Sequence, residues 1–143
     1  MPTDSSNPYP AVPSRCFACG PQNPKGLHLH FERTPELAVT AAWTPLPDFD
    51  GYPGLTHGGI VATVLDEAMS KAVAVHAWRA LTCDLSVRLR HTIRSGCAYR
   101  VTGRVLSRRK RRILTEAVIH DAQGRECAFA SAVFLAPVES SAV

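Results

Sequence analysis

The stretch "HGGIVATVLDEAM", residues 57–69, decides the fold. From Gly58 to about Ala77 there is no Gly after position 59 and no Pro, and apolar residues recur at Ile60, Val61, Val64, Leu65, Ala68, Ala72 and Val75. That spacing predicts an amphipathic helix of roughly 20 residues. The other periodic segments of the chain alternate with a period of two, so one long helix has to be accommodated by a sheet.

Upstream, "LHLHFER" (27–33) sets Leu27, Leu29 and Phe31 against His28, His30 and Glu32, and "LAVTAAW" (37–43) predicts a second strand. The segment between this strand and the helix, "TPLPDFDGYPGLT", holds three prolines and two glycines and reads as a loop. Downstream, "TCDLSVRLRHTI" (82–93) places Cys83, Leu85, Val87, Leu89, His91 and Ile93 on one face. Thr82, Asp84, Ser86, Arg88, Arg90 and Thr92 fall on the other. Further strands are expected near 98–106, 112–120 and 126–136, the last two separated by the turn "DAQG". One helix against about six strands implies an α+β fold in which a curved antiparallel sheet wraps the helix. Ala128, Ala130 and Ala132 would let the helix approach closely. The sheet edges that remain imply self-association.

At 143 residues the chain reads as one domain, 15–137, preceded by a Pro- and Ser-rich arm (1–14) and followed by a short tail (138–143). No apolar run is long enough to span a bilayer, and the arm lacks the apolar core of a secretory signal, so the expectation is a cytoplasmic protein without a membrane partner. An odd number of cysteines, five, argues for reduced thiols. The formal charge of +4 favours anionic partners.

The two adjacent carboxylates in the helix separate at 100° per residue. Glu67 shares a row with Thr63, Ser70 and Lys71, and pairing with Lys71 at i+4 makes it a solvated surface residue. Asp66 shares a row with Ala62, Met69 and Val73 and has no basic residue within a turn. It is either a residue at the stripe's margin that reaches water or an acid with a function. Gly58 and Gly59 leave the first-turn amides unobstructed, and these donors at the positive end of the helix dipole suit an oxygen that is becoming an anion. His57 reads as a cap, a loop hydrogen-bonder or a ligand, with an orienting role preferred. Gly59 and Asp66 lie about 10 Å apart along the axis, too far to serve one carbonyl within one chain, whereas two copies about a twofold axis could share the site.

These stretches, together with "CFACGPQNPKGL" (16–27) and "DGYPGLT" (50–56), resemble the hotdog-fold acyl-CoA thioesterases of the phenylacetyl-CoA type over about residues 16–136. The resemblance implies homodimers or homotetramers with sites at the subunit interface, acyl-CoA as substrate and no separate cofactor. It implies that the Gly59 N–H, beside Gly58, polarises the thioester carbonyl, and that Asp66 of the partner subunit acts as general base or nucleophile. Thr82, sixteen residues after the acid, matches a helper hydroxyl. Asp50 stands where relatives carry an amide, and an acid does not donate the same hydrogen bond unless protonated. Met69, Val73 and the loop around Tyr52 are expected as walls of the acyl pocket.

The run "SRRKRR" (107–112) is either an exposed charged hairpin turn or a site where Arg108 and Arg109, with Lys110 and Arg111, attract coenzyme A phosphates. No aromatic pattern accompanies it to support nucleic-acid binding. Cys16 and Cys19 form a C-x-x-C with no second ligand pair at finger spacing, so no metal is expected and the pair reads as packing and turn residues. Two functions stand: hydrolysis of acyl-CoA thioesters, and non-catalytic acyl-CoA binding or sensing on the same fold. A hydratase would need a paired Asp and His along the helix, which is not seen.

Overall fold

The computed structural model describes residues 14–138; positions 1–13 of the expected arm and 139–143 of the tail lie outside the described residues. The elements run β1 (Glu32–Arg33), β2 (Val39–Trp43), a short 3-10 turn (Pro47–Phe49), α1 (Gly58–Ala74), β3 (Leu81–Leu89), β4 (Tyr99–Arg109), β5 (Arg112–Asp121) and β6 (Glu126–Leu135). All six strands join one antiparallel sheet in the order β1-β2-β4-β5-β6-β3. The expected α+β arrangement, one long helix held by a six-stranded antiparallel sheet, is the one observed.

Helix α1 buries Val61, Val64, Leu65, Ala68, Met69, Ala72 and Val73, the i, i+3, i+4, i+7 pattern of one face. Compared with the sequence-based stripe, the buried face is rotated toward Met69 and Val73, and Val75 drops out because the helix stops at Ala74. Ala77 closes the end with a φ of +60°, a left-handed residue of the kind that terminates helices. The sheet meets α1 with small residues: Ala128 and Ala130 are fully buried and Ala132 nearly so. On β4, a Cβ at Gly103 would lie 2.4 Å from the carbonyl oxygen of Ala68, so the helix backbone rests directly on that strand.

The first expected strand is mostly absent from the sheet. Leu29 is buried and Leu27 and Phe31 pack against the core, as the alternation implied. However, His28 has a φ of +53°, and the N–H groups of Leu27 and Leu29 donate to the carbonyls of Phe17 and Ala18. The segment therefore pairs with the turn at Cys16–Cys19 and enters the sheet only at Glu32–Arg33. Strand β4 runs further than expected into the basic run, to Arg109, while β5 starts at Arg112 as expected, leaving Lys110 (φ +56°) and Arg111 as a two-residue turn. Strand β3 forms one edge of the sheet. Among the described residues it is hydrogen-bonded only to β6, and Leu81, Leu85 and Leu89 stay exposed at 66%, 39% and 54%.

Replacing Gly103 with Ala should force the helix off β4 and destabilise the chain by on the order of 3 kcal/mol, the upper range for overpacked cores. Urea unfolding would read this as a lower midpoint at an unchanged slope.

Candidate active site

The start of α1 is fixed by its own cap. His57 precedes the helix, and its Nδ1 accepts the N–H of Gly59 at 2.9 Å, so the ring proton sits on Nε2. The His57 carbonyl takes the N–H groups of Ile60 and Val61, and the hydroxyl of Thr63 donates to the Gly59 carbonyl at 2.9 Å. A Cβ at Gly58 would come within 3.0 Å of the Leu89 side chain, which locates the helix start at the far end of β3. Beside it opens a pocket of about 530 Å³, lined by Tyr52, Leu55, His57, Gly58, Val61 and Leu89 among others.

Asp66 lies at the opposite end of β3. Its Oδ1 accepts the Thr82 hydroxyl at 2.7 Å. The strand's simple alternation would not allow this contact, because it puts Thr82 on the face with Asp84 and Ser86, away from the helix. The ladder with β6 shifts between Thr82 and Asp84: Thr82 opposes Phe134, Asp84 opposes Val133 and Leu85 opposes Ala132, leaving Cys83 as an extra residue. Directly opposed residues share a face, and Phe134 and Ala132 are buried under the helix. The bulge at Cys83 thus turns Thr82 onto the helix side together with Leu85, Val87 and Leu89. The polar-face assignment of Thr82 is corrected, and one inserted residue is the physical reason.

Thr82 and Leu89 are separated by about 20 Å of strand, so the Asp66 carboxylate and the Gly58–Gly59 amides of one chain do not converge. Met69 and Val73, expected as pocket walls, are 0% and 2% exposed and belong to the protomer core, because the buried face of α1 is centred nearer to them than the sequence stripe placed it. Tyr52 does line the pocket and is itself largely exposed. Asp50 braces its loop: Oδ2 accepts the Gly54 N–H at 2.9 Å, and the buried Oδ1 has no hydrogen-bond partner among the described residues.

The two arginines part company. A second shift, at Leu106, sets Arg108 opposite the buried Ile113, so Arg108 turns to the helix face, where its guanidinium lies 4.6 Å from the Trp78 ring centre. Arg109 pairs with Arg112 and faces the other way. Thr82, Phe134, Ile113 and Arg108 form one cross-strand row, three strand spacings or about 14 Å wide. Glu67 also differs from expectation. It pairs with Lys71 at 3.7 Å, but its side chain is only 13% exposed, because the turn carrying Cys16 and Cys19 covers it. Burial, with the Glu67 carboxylate beside it, pushes the Cys19 thiol up to about 12, so that thiol stays protonated. Sequence spacing gave no sign of this contact, since the partners are 48 residues apart along the chain.

A family model described as the thioesterase superfamily matches residues 53–128, which contain the helix, the Gly-Gly start, Asp66 and Thr82. The chain belongs to the thioesterase superfamily. A curated relative in Xenopus laevis, acyl-coenzyme A thioesterase THEM4, is 28% identical over 93 residues, which is 64% of this chain and 42% of the relative. The chain therefore spans less than half the length of that relative. A solved thioesterase superfamily protein superposes with a TM-score of 0.79 at 27% identity, over 82% of this chain and 61% of the other. The Escherichia coli PaaI protein of the phenylacetic acid degradation operon shares the fold, with a TM-score of 0.71 over 76% of this chain and 83% of its own, at 16% identity. The hotdog architecture of this superfamily member is thus the one its sequence resembled.

Because His57 caps α1 through its side chain, a His57→Ala protein should lose about 1 kcal/mol of stability, the usual cost of a deleted cap. A thermal or urea midpoint equal to that of the parent would contradict the cap's contribution.

Proposed function

We propose that this chain hydrolyses acyl-CoA thioesters, with Asp66 as the reacting carboxylate, at a site completed by a second copy of the chain. The observation that carries this reading is the Thr82–Asp66 hydrogen bond on a half-buried helix row, held by the bulge at Cys83. With Oδ1 occupied by the Thr82 hydroxyl, Oδ2 is left either to take a proton from the water that attacks the thioester carbon or to attack that carbon itself, forming a mixed anhydride that water then cleaves. In both routes the C–S bond breaks, the thiolate leaves and takes up a proton, and free acid and thiol result. The hydroxyl fixes the carboxylate's rotamer. No redox or group-transfer cofactor is required, because coenzyme A arrives as part of the substrate. The relative's name, acyl-coenzyme A thioesterase, supports the substrate class.

The oxyanion donors are assigned to the partner. Pairing of two exposed β3 edges in antiparallel fashion about a twofold axis sets the Thr82 end of one strand beside the Leu89 end of the other. Asp66 of one copy then approaches the Gly58–Gly59 helix start of the other, next to the pocket at Tyr52 and Leu55. In this arrangement the carbonyl competes with His57 for the Gly59 N–H, so the imidazole yields that hydrogen bond when the substrate enters. Arg108, in the same row as Thr82, is the hairpin cation on the side of the acid and is assigned to the phosphates of coenzyme A. Arg109, on the opposite face, is left to contribute through the general field only.

Thiol release from a panel of acyl-CoAs tests the chemistry. Asp66→Ala should lose at least about a hundredfold in kcat, and Thr82→Val on the order of tenfold, with Thr82→Ser recovering most of that loss. Saturable acyl-CoA binding with no thiol release by the parent protein would favour the sensing alternative.

The shared site makes a separate demand. Leu85→Glu, at the middle of the β3 edge, should shift sedimentation toward the monomer and remove activity in parallel. A Leu85→Glu monomer with parental turnover would sink the two-copy site.

A further inference from the structure

Sequence spacing offers two metal-ligand side chains in the amino-terminal turn, and folding brings a third to them. Cys16 and Cys19 sit over the middle of α1, where the Cys16 Sγ, the Cys19 Sγ and a carboxylate oxygen of Glu67 all lie within 4.8 Å of one another. We propose that Cys16, Cys19 and Glu67 form a binding site for a thiophilic divalent cation, Zn2+ by its ligand set, which fastens the amino-terminal turn to α1.

Geometry, charge and ligand type agree. Sulfur ligands about 2.3 Å from a tetrahedral Zn2+ lie about 3.7 Å from each other, so movements of about an ångström convert the cluster into a coordination shell. The turn already presents the two sulfurs together: the Gly20 N–H donates to the Cys16 carbonyl at 2.8 Å, and a Cβ at Gly20 would lie 2.3 Å from the Cys16 nitrogen, which leaves room only for glycine. Two thiolates and a carboxylate bring a charge of −3, and the cation reduces it to −1. The Lys71 ammonium, 3.7 Å from Glu67 Oε1, supplies the remaining positive charge. Thiolate ligands select zinc over magnesium or calcium, and three protein ligands leave one position for water. On binding, the cation replaces the thiol protons, which pass to solvent.

The cross-link would act where other restraints are few. Between Ser14 and Phe31 there is no helix or strand, and the segment is held by the burial of Ala18 and Leu29 and by backbone hydrogen bonds such as those from Leu27 and Leu29 to Phe17 and Ala18. Ligation through Glu67 ties that segment to α1 one residue from Asp66. The role proposed is structural, and it does not depend on the hydrolytic reading.

Titration of the reduced, metal-free chain with Co2+ is the test, followed by displacement with Zn2+. The expected result is one ion per chain, with thiolate-to-cobalt charge-transfer bands and the intense visible bands of a tetrahedral site, and with a higher melting temperature in Zn2+. Cys16→Ser and Cys19→Ser should abolish the bands and Glu67→Gln should weaken binding by about tenfold or more. A Cys97→Ser protein, altered at an exposed thiol elsewhere, should bind as the parent does. Absence of stoichiometric binding by the parent, or bands that persist in Cys16→Ser/Cys19→Ser, would overturn the proposal. If a single-cysteine variant does not fold, protection of Cys16 from alkylation by Zn2+ in the parent decides in its place.

Discussion

The hydrogen bond from Thr82 to Asp66 is the constraint on which the site depends. It joins the middle of the only long helix among the described residues to the sheet's edge strand, and it exists because Cys83 is an unpaired extra residue in the β3–β6 ladder. Bulges re-aim side chains at the cost of a local break in pairing. Here the break falls at the start of β3, so the rest of the strand keeps its register, with Leu85, Val87 and Leu89 facing the small residues of β6. One local irregularity therefore positions the acid's partner without disturbing the packing that holds the helix.

The same strand explains why a single chain looks incomplete. An exposed, nine-residue edge with leucines at 39–66% exposure is an arrangement that isolated domains avoid. The two chemical elements of the proposed site, the carboxylate and the capped helix start, sit at the two ends of this edge. An antiparallel partner reverses the ends, which is the simplest operation that brings unlike groups together. In the proposed two-copy site, self-association and catalysis rest on one surface, so a substitution at the edge acts on both.

The amino-terminal turn adds a second attachment to α1. Glu67 points away from Asp66 by about one helical step of 100° and lies under Cys16 and Cys19. Neighbouring residues on one helix thus serve different structures: Asp66 faces the sheet edge, and Glu67 anchors the segment that crosses the helix. Restraint of the Glu67 side bears on Asp66 through the shared backbone turn, whether the restraint comes from Lys71 and the thiols alone or from an ion among them.

By itself the sequence determined the helix, most of its buried stripe (Val61, Val64, Leu65, Ala68 and Ala72), the period of five of the six strands and the α+β class, because these depend on the spacing of apolar residues that local geometry reads directly. It also singled out Asp66, Gly59 and Thr82, through helix rows and a family resemblance. Only the tertiary structure decided which way Thr82 points, since strand parity propagates from an assumed register and one bulged residue reverses it. A bulge at Leu106 likewise decided which of the neighbouring Arg108 and Arg109 faces the helix. The coverage of Glu67 by a turn 48 positions upstream, the burial of Met69 and Val73, and the diversion of Leu27–Phe31 from the sheet were likewise decided in three dimensions. Each depends on which distant segment packs there, and periodicity carries no information about that.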